Sequence, residues 1–511
     1  MFAAIQPISS WVGTSSKKTP APKKITVKCL GLKLHNSRFQ SHWGLNTMVP
    51  HRFQPSFWLQ LVFSVGIASF LQPAGLIAHD APHKHPEAEI HKPTPIPDRI
   101  NLCVTQTPAK SVAVTWRTDL SVNQGLVEVA PAQSGPIFIR TPRQLKAVKE
   151  DLKSDLSEAR YHSSVIDQLE PETVYAYRVG DGLNWSEWFH FRTAPASSKP
   201  FQFIYFGDAQ NDVKSLWSRV IRSAFQDAPK AALLIHAGDL INSPNKDGEW
   251  GEWFGAAGFI NGMMPILATP GNHEYSRSDK GPVLSKHWKP QFNLPSNGPA
   301  GLEETCYFID YAGVRFVSLN SNERQEEQGK WLDSTLSNNP NRWTILTFHH
   351  PIYSAAKGRD NKQLREMWQP IFDKHKVDLV LTGHDHTYAR SGLLMFDNAG
   401  SGATVRDPKS GTVYVVSVSG PKMYRVERED WMKRAAENTQ LYQIIEVDGD
   451  HIRYESRTAI GTLYDAFELV KQAGGKSNVL IEKAPKTPER LGEEVRTGRS
   501  QSMDRQSGFT R

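Results

Sequence analysis

Six side chains in this 511-residue chain stand in blocks that could share metal ions. Asp208 and Asp239 each follow a glycine, and Asn272 lies in Gly271-Asn272-His273-Glu274. His349 begins His349-His350-Pro351, while His384 and His386 belong to Gly383-His384-Asp385-His386. Singly, each has a bland explanation. An aspartate after glycine makes a turn, an asparagine caps a helix, and a lone histidine is an ordinary satisfied polar group. Together they offer two carboxylates, one amide oxygen and three imidazoles. Hard oxygen donors mixed with imidazole suit Fe, Mn or Zn. Six donors exceed what one catalytic ion with open positions needs, and they suit two ions sharing a bridging carboxylate.

Each block directly follows an apolar run. FQFIYF leads to Asp208, AALLIHA to Asp239, MMPILATP to Asn272, WTILTF to His349 and DLVLT to His384. Such runs, alternating with helical stretches, predict buried strands of an α/β sheet, and open sheets bind ligands at the carboxyl ends of their strands. Further strands are expected at 412–420, 441–450 and 451–459, so this domain is read as 201–470. The polar, charged segment 472–511 is expected to be disordered. Trp250, Trp253 and Phe254 could wall a cleft, but core packing is the simpler reading.

Ahead of this domain, residues 99–194 show short alternating strands (101–107, 111–118, 160–167, 173–180, 186–193) separated by turn residues, a small all-β sandwich. The stretch Leu169–Val179 resembles a fibronectin type III strand entry, with Trp116 as core tryptophan. Tyr175 and Tyr177 are read as packing residues. Residues 79–98 read as a His/Pro-rich linker, with weak metal capture by His79, His83, His85 and His91 as the sharper alternative.

Composition limits the function classes. The hydrophobic fraction of 39% and charged fraction of 22% exclude a polytopic membrane protein, a disordered chain and a collagen-like one. The net charge of +7 suggests nucleic acid only until it is located. Residues 1–56 hold eight Lys and Arg and no acidic residue, and the remainder is close to neutral, so no nucleic-acid partner is indicated. The apolar run Phe57–Leu71, with Arg52 before it and small residues after it, has the layout of a secretory signal. Residues 1–78 are thus read as a leader with a signal peptide, or an anchor through 57–78, and the protein as secreted, periplasmic or attached to the cell surface. Whether Met1 or Met48 starts the chain is open. Cys103 and Cys306 allow one interdomain disulfide or two free buried thiols.

The ordered series GD, GD, GNHE, H-x-P and GHxH resembles that of the calcineurin-like metallophosphoesterase superfamily. With a β-sandwich in front, the chain is similar to the purple acid phosphatases over about 99–470. The resemblance implies a four-layer α/β/β/α sandwich behind a fibronectin type III-like domain. It also implies that Asp208 and His386 bind a first metal, that Asp239 bridges, and that Asn272, His349 and His384 complete a second, with Fe paired with Zn or Mn. His273 is similar to the outer-sphere histidine that steadies the phosphoryl group and protonates the leaving alkoxide. His350 adds either a polar substrate contact or a structural one. Two positions depart from the relatives. Asn242 replaces the tyrosine of GDxxY that binds ferric iron and gives the purple colour, and Gln210 replaces the histidine of GDxH found in non-purple relatives. Both are left as weak ligands or neighbours of ligands.

The function expected is hydrolysis of phosphomonoesters, with metal-activated hydroxide attacking phosphorus in line. Phosphodiesters or nucleotides are the nearest alternative substrates. A binding or adhesion protein with a weakened hydrolase domain is the alternative of a different class.

Overall fold

Three strands, Phe201–Phe206, Leu234–His236 and Ile266–Ala268, run parallel side by side, with His236 opposite both Phe206 and Ala268. They are the middle of an eleven-stranded sheet in a computed structural model that describes residues 85–395 and 411–492. Beside Phe201–Phe206 follow the antiparallel strands Leu441–Asp448, His451–Thr458, Leu463–Val470 and Val479–Glu482. A second, seven-stranded sheet includes Val314–Ser318, Trp343–Phe348, Leu379–Thr382 and Thr412–Val416 as parallel neighbours.

Strand side chains alternate between faces, and both faces here are apolar. Ile345, Leu379, Leu381 and Val415 pack in one core with Phe203 and Ile204 of the first sheet. The Phe203 and Phe316 rings meet edge to face at 5.2 Å. Leu346, Phe348 and Val380 point the other way, onto Leu332 and Leu336 of the helix Gln325–Ser337 and Trp368 and Phe372 of the helix Lys362–Lys374. The helices Ser218–Asp227 and Asp247–Ala257 join the core of the first sheet. Trp250 and Trp253 are fully buried and pack on Phe292, and Trp253 stacks on Trp217, so they are core rather than cleft wall. The order is helix, sheet, sheet, helix: the four-layer metallophosphoesterase sandwich.

The expected β-sandwich is present, its core built on Trp116, Val127, Tyr175, Tyr177 and Phe191. One of its two sheets continues the large one. Asp98–Cys103 lies parallel to Ile266–Ala268, with Cys103 opposite Ile266 and the Val104 N–H donating to the Ile266 carbonyl at 3.1 Å. Arg99 reaches across to Asp247 at 2.7 Å, with both side chains buried.

Two expectations change. Residues 472–492 are ordered rather than disordered. Val479–Glu482 pairs with Leu463–Val470, Glu482 accepts from the buried Arg390, and Thr487 accepts from Arg434. Backbone pairing, buried arginines and the single leucines Leu480 and Leu491 hold this segment, so it shows no apolar periodicity. Residues 493–511 lie outside the described residues, as do the leader 1–78 and His79 and His83. The linker is not merely extended from 85 onward: Glu87–Ile90 is a helical turn, and His91 packs on the face of Gly251. Neither His85 nor His91 joins a donor cluster among the described residues. Cys103 and Cys306 are free buried thiols, with burial pushing Cys103 up to about 12. No helix among the described residues is long and apolar enough to cross a membrane.

Candidate metal centre

All five strand-end blocks converge. Asp208 follows Phe201–Phe206 and is buried, with Oδ1 accepting the His384 N–H at 2.7 Å. Its Oδ2 lies 3.1 Å from Nε2 of His386. Asp239 Oδ1 accepts the His273 N–H at 2.8 Å, and its Oδ2 lies 3.1 Å from Nε2 of His349. The same His349 nitrogen is 3.0 Å from Asn272 Oδ1 and 3.1 Å from His384 Nδ1.

Chain packing at these strand ends is tight enough to require glycine. A Cβ on Gly271 would stand 2.1 Å from Asp239 Oδ1, and one on Gly383 would stand 2.1 Å from Asp208 Oδ1. Asp239, His384 and His386 hold left-handed backbone at φ 53°, 72° and 42°. Such conformations are costly for non-glycine residues and persist where surroundings impose them. Buried Glu274 imposes one of them, accepting the N–H groups of Asp239, Leu240 and Gly271 at 2.8, 2.8 and 2.6 Å.

Hydrogen bonds also set which imidazole nitrogen is free. His349 Nδ1 lies 2.9 Å from the Ala237 carbonyl and His386 Nδ1 lies 3.0 Å from the Lys422 carbonyl. Each carbonyl requires a proton on Nδ1, which turns Nε2 toward the carboxylates. His273 Nδ1 is likewise held, 2.5 Å from the Asn242 carbonyl. That carbonyl is fixed in turn because Glu249 accepts the N–H groups of Asn242 and Ser243 at 2.7 and 2.8 Å.

The electrostatics are those of a cation site. Burial pushes the Asp208 carboxyl up to about 7. Burial acts on Asp239 in the same sense, but His349 and His273 outweigh it and hold that carboxyl below the ordinary range. Burial alone would lower His349, yet Asp239 and Asp208 raise it to about 9. Burial lowers His386 to about 3 and, helped by His349 and His350, lowers His384 as well. Both therefore remain neutral donors at ordinary pH.

Asp208, Asp239 and His349 form one cluster whose donor atoms lie within 4.8 Å of one another, and His349, His350 and His384 form a second. The buried Gln210 amide also reaches the centre. Its Nε2 is 3.1 Å from Asp239 Oδ2 and 2.8 Å from His386 Nε2, and its Oε1 has no hydrogen-bond partner. Asn242 is different: its side chain bonds Asn211 and Ser243, and it serves the centre through its carbonyl. His350 Nδ1 is 2.8 Å from Ser321 Oγ, and its ring lies 4.3 Å from that of His384. Glu249, Glu274 and Ser321 carry no signal in the sequence beyond the place of Glu274 in GNHE. An orphaned amide oxygen, two buried carboxylates and neutral, oriented imidazoles fit a pair of metal ions.

Residues 202–388 match the calcineurin-like phosphoesterase family, and residues 97–193 match the purple acid phosphatase N-terminal domain. An uncharacterized protein of Mycobacterium tuberculosis is 26% identical over 321 residues, covering 55% of this chain and 59% of its own. The Fe(3+)-Zn(2+) purple acid phosphatase 12 of Arabidopsis thaliana is 29% identical over 246 residues, covering 45% and 52% respectively. The chain thus spans between half and three fifths of the length of these relatives. The fold is similar to that of purple acid phosphatase PPD1 from yellow lupin seeds, with a TM-score of 0.64 at 20% identity over 74% of this chain and 75% of that one. The two matched segments are adjacent and in order, so residues 97–193 carry a purple acid phosphatase N-terminal domain and residues 202–388 a calcineurin-like phosphoesterase domain.

Proposed function

We propose that this protein is a two-metal phosphohydrolase acting on phosphomonoesters. The observation that carries this reading is the convergence of six donors from five strand ends, with the Nε2 atoms of His349 and His386 turned toward the two carboxylates by carbonyl contacts at Nδ1. Asp208, Asp239, His386 and the Gln210 amide would hold one ion; Asp239, Asn272, His349 and His384 would hold the other, with Fe paired with Zn or Mn as the proposed pair. Bound there, the ions would supply Lewis acidity toward a phosphoryl oxygen and a water of lowered pKa.

The chain's own residues supply the rest. His273, tied through Nδ1 to Asn242, keeps Nε2 available to steady the phosphoryl oxygens and to hand a proton to the departing alkoxide. His350 stands beside the centre with Nδ1 on Ser321, where it can contact substrate through its other nitrogen. Asn242 has no phenol, so the native protein should lack a purple charge-transfer band. The apolar run 57–71, outside the described residues, supports export or surface attachment, which fractionation of the expressing cell tests.

The decisive experiment combines elemental analysis and a visible spectrum with assays on a chromogenic monoester and diester. Two ions per chain and monoester turnover that His349→Ala abolishes are expected. Preference for the diester would move the substrate class. A metal-loaded protein inactive on both would favour a binding role.

A further inference from the structure

Two cations gather on one aromatic ring beside the centre. The Arg359 guanidinium carbon lies 4.7 Å from the Tyr424 ring centroid and the Lys422 ammonium 5.6 Å from it. That ring lies 4.7 Å from the His386 imidazole. Backbone contacts lock the arrangement to the metal-side loop: the Tyr424 N–H donates to the His386 carbonyl at 3.1 Å, and His386 Nδ1 takes the Lys422 carbonyl. Arg359 is further tied to the His384 carbonyl at 3.3 Å.

Charge is poorly balanced here. Lys422 has no carboxylate in ion-pair reach among the described residues, and Arg359 has Asp385 at 3.4 Å, whose other oxygen is taken by the Ala355 N–H. Like charges gathered on one ring repel, and the ring's face offsets this only partly. Arg359 remains 36% exposed, open to a ligand. A planar guanidinium next to a mobile ammonium suits a carboxylate or phosphate.

The geometry points to Arg359 and Lys422, gathered on Tyr424, as a subsite for a second anionic group of the substrate, a further phosphate or a carboxylate near the phosphoryl group being cleaved. This rests on the reading of the centre as hydrolytic and narrows its substrates to esters or anhydrides with two anionic groups.

The test uses the full chain loaded with zinc. Calorimetry compares methylphosphonate, with one anionic group, against methylenediphosphonate and phosphonoacetate, which add a phosphonate or a carboxylate. The doubly substituted variant Arg359→Gln with Lys422→Gln should lose at least tenfold of the wild-type preference for one of the two bifunctional ligands, and which one identifies the group. Each single variant should lose part of it. In turnover, kcat/KM for pyrophosphate or a phosphorylated carboxylate should fall at least tenfold relative to that for p-nitrophenyl phosphate. An undiminished preference in the double variant, or an equal loss on all ligands, overturns the subsite. A wild-type protein that hydrolyses no ester overturns the hydrolytic reading instead, and the binding comparison still decides the subsite.

Discussion

Gln210 Nε2 stands 2.8 Å from Nε2 of His386, so the amide occupies the lone pair that faces Asp208. Because His386 Nδ1 carries its proton toward Lys422, the contact is amide N–H to imidazole. A ligand role needs the amide turned over, which would bring the unpartnered Oε1 to the same place. Gln210→His should replace a turnable amide by an imidazole and raise retention of the ion on the Asp208 side by about tenfold, the scale on which groups around ligands tune affinity. Chelator competition with metal counting checks it; unchanged retention would place Gln210 outside the metal set.

Metal uptake should release protons. His349 is raised to about 9, so without a cation it is protonated at pH 7.5, whereas a ligand must be neutral. About one proton from this group is expected per chain loaded at pH 7.5, fading as pH rises through 9. Calorimetry in two buffers of different ionisation enthalpy measures it. Stripping the ions should also lower the melting temperature, since binding to the folded chain alone stabilises it.

His273→Ala should slow alkyl phosphates by about 10²–10⁴ while sparing esters with good leaving groups, which need little proton transfer. Glu249 fixes the loop whose carbonyl holds His273, so Glu249→Ala should show a weaker form of the same leaving-group dependence. Glu249→Gln keeps an acceptor oxygen and should restore most of it. A loss uniform across leaving groups would make Glu249 a folding residue only.

Asp247 accepts from Arg99 at 2.7 and 2.9 Å and lies 3.4 Å from Arg117, with its side chain 3% exposed. Asp247→Ala leaves two guanidinium groups buried without this partner, and a loss of about 3–5 kcal/mol is expected in urea unfolding. A loss below about 1 kcal/mol would mean that Asp98 and water take over.

The centre was legible because its residues follow buried strands, and a strand's end is local information. Asp208, Asp239, Asn272, His349, His384 and His386 could be read together for that reason. What orients them was not legible. Glu249 lies seven residues from Asn242 in an unremarkable helix, and Arg359 reaches Tyr424 from 65 residues away. The strand Val148–Lys153 escaped for another reason. Val148–Lys153 forms an outer edge and its residues are exposed except Leu152, so the apolar alternation that marks a half-buried strand is absent. The tail 472–492 shows no apolar period for the same reason: only single apolar residues such as Leu480 and Leu491 reach the cores, while Arg390 and Arg434 supply its polar anchors.

Cys103 opposite Ile266 has one more meaning. Ile266–Ala268 is the strand that delivers Asn272, and the N-terminal sandwich covers its outer flank. A protease cutting between residues 194 and 200 would leave two pieces still zipped together, and a truncation beginning at 201 would bare a row of peptide groups ready to stick to another copy. The front module is thus the selvedge of the second domain: unpick it and the weave frays beside the centre itself.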